Sequence, residues 1–158
     1  MAERTKKREG ETSIIRELLG WIVYIIIIIA LTYLIVTYIG QRTSVQGSSM
    51  ETTLSVGDNL IVDKISYRFR DPSRYDIIVF PYQYEEDTYY IKRIIGLPGE
   101  TVQVKDGAVY INDELLESDI YGREPMNDPG IAAEPITLGE DEYFVLGDNR
   151  NNSSDSRS

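Results

Sequence analysis

The stretch Gly47-Ser48-Ser49-Met50-Glu51-Thr52-Thr53-Leu54 sets two adjacent hydroxyls beside a glycine. A serine hydroxyl is a weak nucleophile near neutral pH and needs a base to attack a carbonyl. The chain of 158 residues has no histidine and no cysteine. That excludes the Ser-His-Asp arrangement, a thiol nucleophile and a disulfide framework, and it makes a zinc site of Cys and His ligands untenable. A Ser-Lys pair is the variant that remains. Lysine serves as a base only when neutral, which requires burial or a neighbouring positive charge to lower its pKa.

Past residue 40 there are three lysines, Lys64, Lys92 and Lys105. Lys105 stands in a Lys-Asp-Gly turn, and Lys64 sits beside Asp63. Lys92 has the most apolar setting, within Tyr89-Tyr90-Ile91-Lys92-Arg93-Ile94-Ile95. Strand alternation puts Tyr90, Lys92 and Ile94 on one face and Arg93 on the other, and an arginine cannot act as a base. The competing reading of Lys92 is a strand lysine whose stem snorkels to water, which is the commoner case. The competing reading of Ser49 is a turn or capping hydroxyl. The polar run Gly147-Asp148-Asn149-Arg150-Asn151-Asn152-Ser153-Ser154-Asp155-Ser156-Arg157 follows an apolar strand. It reads as an exposed loop or as groups that orient a buried lysine. It fails as a calcium loop, because Arg150 stands where a ligand is needed.

The elements that must position these groups are legible in outline. Residues 1–17 are polar and read as a short disordered cytoplasmic tail. Residues 18–39 contain no charge, and at helical rise span roughly 33 Å, enough to cross a hydrocarbon core of about 30 Å. Trp21 and Tyr38 near its ends suit the membrane interfaces. A cleaved signal peptide would be shorter and would end in small residues, which Thr37-Tyr38-Ile39-Gly40-Gln41 does not supply. This reads as an uncleaved transmembrane helix, followed by an extracytoplasmic domain over 40–158. Strand signals recur there at Asn59–Ile65, Asp76–Pro81, Thr88–Ile95, Thr101–Val104, Ala108–Ile111 and Glu142–Leu146, with a hairpin turn at Lys105-Asp106-Gly107. Residues 118–135, rich in proline and glycine, read as a long surface loop or insertion. The fold class is predominantly β, mostly antiparallel, behind one N-terminal helix.

Charge narrows the partners. Of 16 basic and 26 acidic residues, five and four fall in residues 1–17, leaving eleven and 22 for the rest. A net charge of −10 argues against nucleic acid, which requires a basic surface. The basic tail and acidic domain place the N-terminus inside the cytoplasmic membrane and the domain outside.

Taken together, three stretches resemble the type I signal peptidases, membrane-anchored Ser/Lys proteases. Ser49-Met50-Glu51-Thr52-Thr53-Leu54 looks like that family's Ser-Met-x-Pro-Thr-Leu box, with Thr52 where proline is usual. Tyr90 through Glu100 looks like the lysine box, and Gly147-Asp148-Asn149-Arg150 through Arg157 like the Gly-Asp-Asn…Ser-x-Asp-Ser-Arg box. The resemblance implies that Ser49 attacks the scissile carbonyl and that Lys92 takes its proton and delivers it to the leaving amine. It implies that Ser153 hydrogen-bonds the lysine, and that Asp155 and Arg157 form a supporting ion pair with Asp148 nearby. It also implies that the Ser49 backbone N–H holds the oxyanion. Some members add a serine hydroxyl two residues before the nucleophile. That position is Gly47 here, as in many Gram-positive members.

The fold implied is the signal-peptidase β domain. Because the family normally continues past the position of Arg157, the domain is expected to be incomplete at its C-terminus. The implied activity is cleavage of signal peptides from exported precursors at the outer face of the membrane, by a monomer that needs no cofactor and no metal. Its partners would be signal peptides and membrane lipid. Val45, Met50, Leu54, Tyr90 and Ile91 are the expected lining of shallow subsites for small side chains. Thr52 and the C-terminus motivate an alternative, a catalytically inactive signal-peptidase-like assembly module held in the membrane. A self-cleaving Ser/Lys protease of the repressor type shares the chemistry, but those proteins are soluble.

Overall fold

The structure, a computed structural model, describes residues 2–158, with side chains from Ile14 onward. The chain divides into two compact units. The first holds the helix α1 (Ala2–Tyr38) together with Asp63–Ile65. Within α1, Ile14–Tyr38 has a mean hydropathy of 2.7, and none of it is buried inside the protein. A helix that is apolar all round needs an apolar surrounding; no protein core covers this one, and 25 residues suffice to cross a bilayer. The helix already starts at Ala2, which corrects the expectation of a disordered tail over 1–17. That segment lacks an apolar period, but more than half of it is Glu, Lys and Arg, all strong helix formers. The Lys64 N–H donates to the Ile39 carbonyl at 2.9 Å, so the end of the helix has a partner.

The second unit is mainly β, with two short 3-10 turns. In chain order come β1 (Gly40–Ser44), β2 (Asn59–Asp63), β3 (Ile77–Pro81), β4 (Tyr89–Gly96), β5 (Thr101–Lys105), β6 (Ala108–Ile111), β7 (Glu114–Leu115), β8 (Ile136–Thr137) and β9 (Phe144–Leu146). β1 and β2 pair with each other, β3-β4-β9 form one sheet and β7-β6-β5-β8 another. The pairings resolved within the two larger sheets are all antiparallel. The strand expected over Asn59–Ile65 stops at Asp63, whose carboxylate accepts the Ile65 N–H. The hairpin expected at Lys105-Asp106-Gly107 is present, with Lys105 opposite Ala108. Asp106 and Gly107 both take positive φ, 53° and 77°, the conformation of the tight turn that matches strand twist.

Ile95, Phe144 and Leu146 from the first large sheet meet Val102, Val104, Val109 and Ile111 from the second in one core. Alternation on β5 and β6 supplies every second side chain to that core. Met126 and Ala132 join them, both buried. Residues 118–135 are therefore not simply a surface loop, as their composition suggests. A 3-10 turn at Gly130–Ala133 turns Ala132 inward, and apolar residues without a period still pack where the chain folds back.

Candidate active site

β4 is the centre of its sheet, and from Lys92 onward all its residues are buried. Alternation therefore sends Lys92 and Arg93 to opposite faces, and neither face is solvent. Lys92 is 4% exposed and its Nζ lies 2.8 Å from Ser49 Oγ. Nζ also stands over the Tyr90 ring, 5.0 Å from its centroid. Burial lowers the Lys92 pKa from the usual lysine value, and the charge of Asp155 pulls it back only in part. A neutral amine at hydrogen-bond distance from a hydroxyl can take its proton.

Ser49 is held by the loop after β9. The Asn149 N–H donates to the Ser49 carbonyl at 3.0 Å, and the Asn149 carboxamide donates to the Ser48 carbonyl at 3.1 Å. The Glu51 N–H donates to the same Ser48 oxygen at 3.1 Å, closing a turn. The Glu51–Thr52 peptide bond is cis. Gly147 is where this loop approaches most closely: a Cβ there would fall under 3.0 Å from the Ser49 carbonyl oxygen and from Ser153 Oγ. Only glycine lets the backbone come so near.

Arg93, on the other face, makes two bonds to Asp148, at 2.8 and 2.6 Å, and donates to the Tyr75 carbonyl at 2.9 Å. Its guanidinium lies 3.6 Å from the centroid of the Tyr121 ring. Thr53 donates to Asp148 at 2.5 Å. Two further buried pairs brace the same loop, Arg150 with Asp119 at 2.6 Å and Arg157 with Asp155 at 2.8 Å. The Gly147 N–H donates to Asp155 at 3.2 Å.

The expected site residues sort as follows. Ser49 and Lys92 are adjacent, and Asp155 pairs with Arg157. Asp148 is engaged by Arg93 and Thr53, on the face of β4 away from Lys92. Ser153 departs from its expected part: its Oγ is buried and makes no hydrogen bond, so it does not hold Lys92. The loop packs Ser153 against Gly147, while Lys92 is taken up by Ser49. A cleft of about 580 Å³ runs past the pair, walled by residues 43–50 on one side and 87–92 on the other. Val45, Met50, Tyr90 and Ile91 line it; Leu54 does not. The Thr53 and Leu54 N–H groups both donate to the Met50 carbonyl at 2.9 Å, and this turn carries Leu54 out of the wall. Arg93, Asn149 and Asn152 were not singled out from the sequence. Arg93 carries no local signal for its part, since an arginine cannot be a base and its partner lies 55 residues downstream. Among the described residues, no group of three or more carboxylates gathers as a metal site would require.

A buried amine within hydrogen-bond reach of a hydroxyl, both facing one cleft, is the arrangement that Ser/Lys hydrolysis would require. Residues 18–158 match the family described as "Signal peptidase, peptidase S26", and the chain belongs to that family. A probable signal peptidase I-2 from Synechocystis sp. is 44% identical over 126 residues, covering 76% of this chain. The chain spans 56% of that relative's length. A signal peptidase I from Bacillus licheniformis is 36% identical over 159 residues, covering 94% of this chain and 83% of its own. The crystal structure of a signal peptidase I from Enterococcus faecalis is 39% identical, with a TM-score of 0.47, and matches 56% of this chain and 86% of that one.

Proposed function

We propose that this chain is a membrane-anchored serine endopeptidase that removes N-terminal signal peptides from exported precursors. The observation that carries this reading is the 2.8 Å contact between Lys92 Nζ and Ser49 Oγ in a buried setting. Neutral Lys92 accepts the Ser49 proton as Oγ attacks the scissile carbonyl. The negative charge formed on the carbonyl oxygen is met by the Ser49 N–H. Collapse of that intermediate breaks the C–N bond, Lys92 gives its proton to the leaving amine, and an ester to Ser49 remains. Water, deprotonated by Lys92, then attacks the ester; the C–O bond to Ser49 breaks, Lys92 returns the proton to Ser49 Oγ, and the signal peptide leaves with a free carboxylate.

An extended substrate fits between the two walls of the cleft, pairing with their backbone as an added strand. Val45, Met50, Tyr90 and Ile91 then form its shallow apolar contacts. Asp155 and Arg157 brace the Gly147 backbone behind the nucleophile, and Asp148 fixes β4 through Arg93. The helix Ile14–Tyr38 anchors the protein, with the basic N-terminus on the cytoplasmic side and the β domain outside. The hydrogen-bonded pair supports an active enzyme over an inactive assembly module, which would have no use for a buried lysine at a hydroxyl.

The test is cleavage of a precursor with an Ala-x-Ala site, in detergent, by the wild-type chain, Ser49→Ala and Lys92→Met. The expected result is cleavage by the wild type alone. Equal activity in all three would exclude the assigned pair.

A further inference from the structure

The turn that carries Ser49 also carries a second hydroxyl. Ser48 lines the cleft beside Ser49, as does Asn152. The Asn152 carboxamide donates to Ser48 Oγ at 2.9 Å. A hydroxyl that accepts a bond still holds its own proton, and this one has no acceptor among the described residues to donate to. The Asn152 bond takes up one acceptor position of Ser48 Oγ and holds the side chain in place, and no described residue takes its proton.

The adjoining peptide bond is fixed as well. The Ser48 carbonyl accepts from the Asn149 carboxamide and from the Glu51 N–H. A peptide is planar and trans, so its N–H points opposite to its C=O. With the Ser48 carbonyl tied to the loop, the Ser49 N–H is turned away from it. The Ser49 nitrogen and Ser48 Oγ are joined through Cβ, Cα and C of a single residue, and both residues line the cleft. Gly47, the next residue back, has no side chain to offer.

We propose that the Ser48 hydroxyl is a catalytic residue, the second donor to the oxyanion that forms when Ser49 attacks, and that Asn152 is the positioning residue that aims it. The inference rests on the reading of the chain as a Ser49/Lys92 peptidase. The oxygen of the scissile carbonyl gains its charge only in the transition state. A donor preset to that position therefore speeds the chemical step and leaves substrate binding unchanged.

The experiment compares the full chain in detergent with Ser48→Ala, Ser48→Thr, Asn152→Asp and the double variant Ser48→Ala/Asn152→Asp, on one signal-peptide substrate. Ser48→Ala should lower kcat by about 10²–10³ with KM nearly unchanged, as loss of one oxyanion donor does. Ser48→Thr, which retains the hydroxyl, should recover most of that loss. Asn152→Asp keeps the shape but turns the donor into an acceptor. The Ser48 proton would then go to the carboxylate, and kcat should fall similarly. The double variant should be no slower than Ser48→Ala, because both changes remove one interaction. A peptide aldehyde, which forms a tetrahedral adduct on Ser49, should bind Ser48→Ala more weakly by a comparable factor, while an uncleaved peptide should bind equally to both. A Ser48→Ala enzyme within about twofold of wild-type kcat, or a loss seen only in KM, would overturn the proposal while leaving the Ser49/Lys92 reading intact. A wild-type chain that does not cleave the substrate would overturn both.

Discussion

At Lys92, two influences compete over one proton. Burial disfavours the ammonium, the charge of Asp155 favours it, and burial is the larger. The sign for stability follows directly. The folded pKa lies below the unfolded value of about 10.4, so between the two the unfolded chain binds more protons. Stability attributable to this residue is therefore lowest below the folded pKa and recovers as pH rises towards the unfolded value. Lys92→Met should accordingly raise the unfolding midpoint at neutral pH while abolishing cleavage. Activity has the same sign, since only the neutral amine accepts the Ser49 proton. The rate should climb with pH through the folded pKa of Lys92, on a limb centred below that of an ordinary lysine. Lys92→Arg retains the positive charge and most of the length, but a guanidinium does not deprotonate. It should be inactive at every pH, and a pH–rate profile of the two proteins checks this. An Arg variant with a pH-dependent rate like that of the wild type would remove Lys92 from the role of base.

At the scale of elements, the site is a strand tied to a loop. β4 brings Lys92 to one face and Arg93 to the other, and Arg93 holds Asp148 in the loop that in turn holds Ser49. The side chains of Arg93 and Asp148 are 5% and 0% exposed. Removing one member of such a pair leaves a buried charge uncompensated, a loss of about 3–5 kcal/mol. Asp148→Ala should destabilise the β domain by that amount in a denaturant titration, with Arg93 and Thr53 both losing their partner. Arg93→Met together with Asp148→Leu, which removes both charges, should recover much of it. A double variant as unstable as the two single changes added together would show that the pair is not coupled.

How the sequence disclosed this arrangement follows from the range of each interaction. The absence of histidine left a lysine as the available base and the apolar strand pointed to Lys92, but a snorkelling strand lysine is the commoner case. It is the resemblance of three stretches to the signal peptidases that assigns Ser49 and Lys92. The strands themselves were legible wherever apolar residues alternate or run together, as in β3 to β6. Arg93 with Asp148, and Asn149 with the Ser48–Ser49 carbonyls, were not legible, because they join segments far apart in the chain and leave no local pattern. The same reason hid the burial of Met126 and Ala132. Their segment reads as proline- and glycine-rich loop until the two sheets close over it. Leu54 was misplaced because a single turn, closed on the Met50 carbonyl, decides which side of the wall it faces.

At the scale of the whole molecule, the decisive features are an apolar helical stretch that is not buried inside the protein and a marked division of charge. The helix Ile14–Tyr38 is exposed along its length, with a hydropathy of 2.7. Five bases lie in the first 17 residues, and the acidic excess lies after the helix. Basic residues near a membrane span are retained on the cytoplasmic side. An orientation with the N-terminus inside places Ser49 on the outer side, where an exported precursor emerges. The absence of cysteine gives a clean way to check it, since a single introduced thiol is the only one to label. Glu140 is exposed in the turn between β8 and β9, and Thr5 lies ahead of the span. In intact cells, a thiol reagent that does not cross membranes should label Glu140→Cys. It should label Thr5→Cys only after the membrane is opened. The reverse pattern would put the Ser49/Lys92 pair on the cytoplasmic side, away from translocated substrates, and would rule out signal-peptide removal at the outer face even if cleavage in detergent were normal.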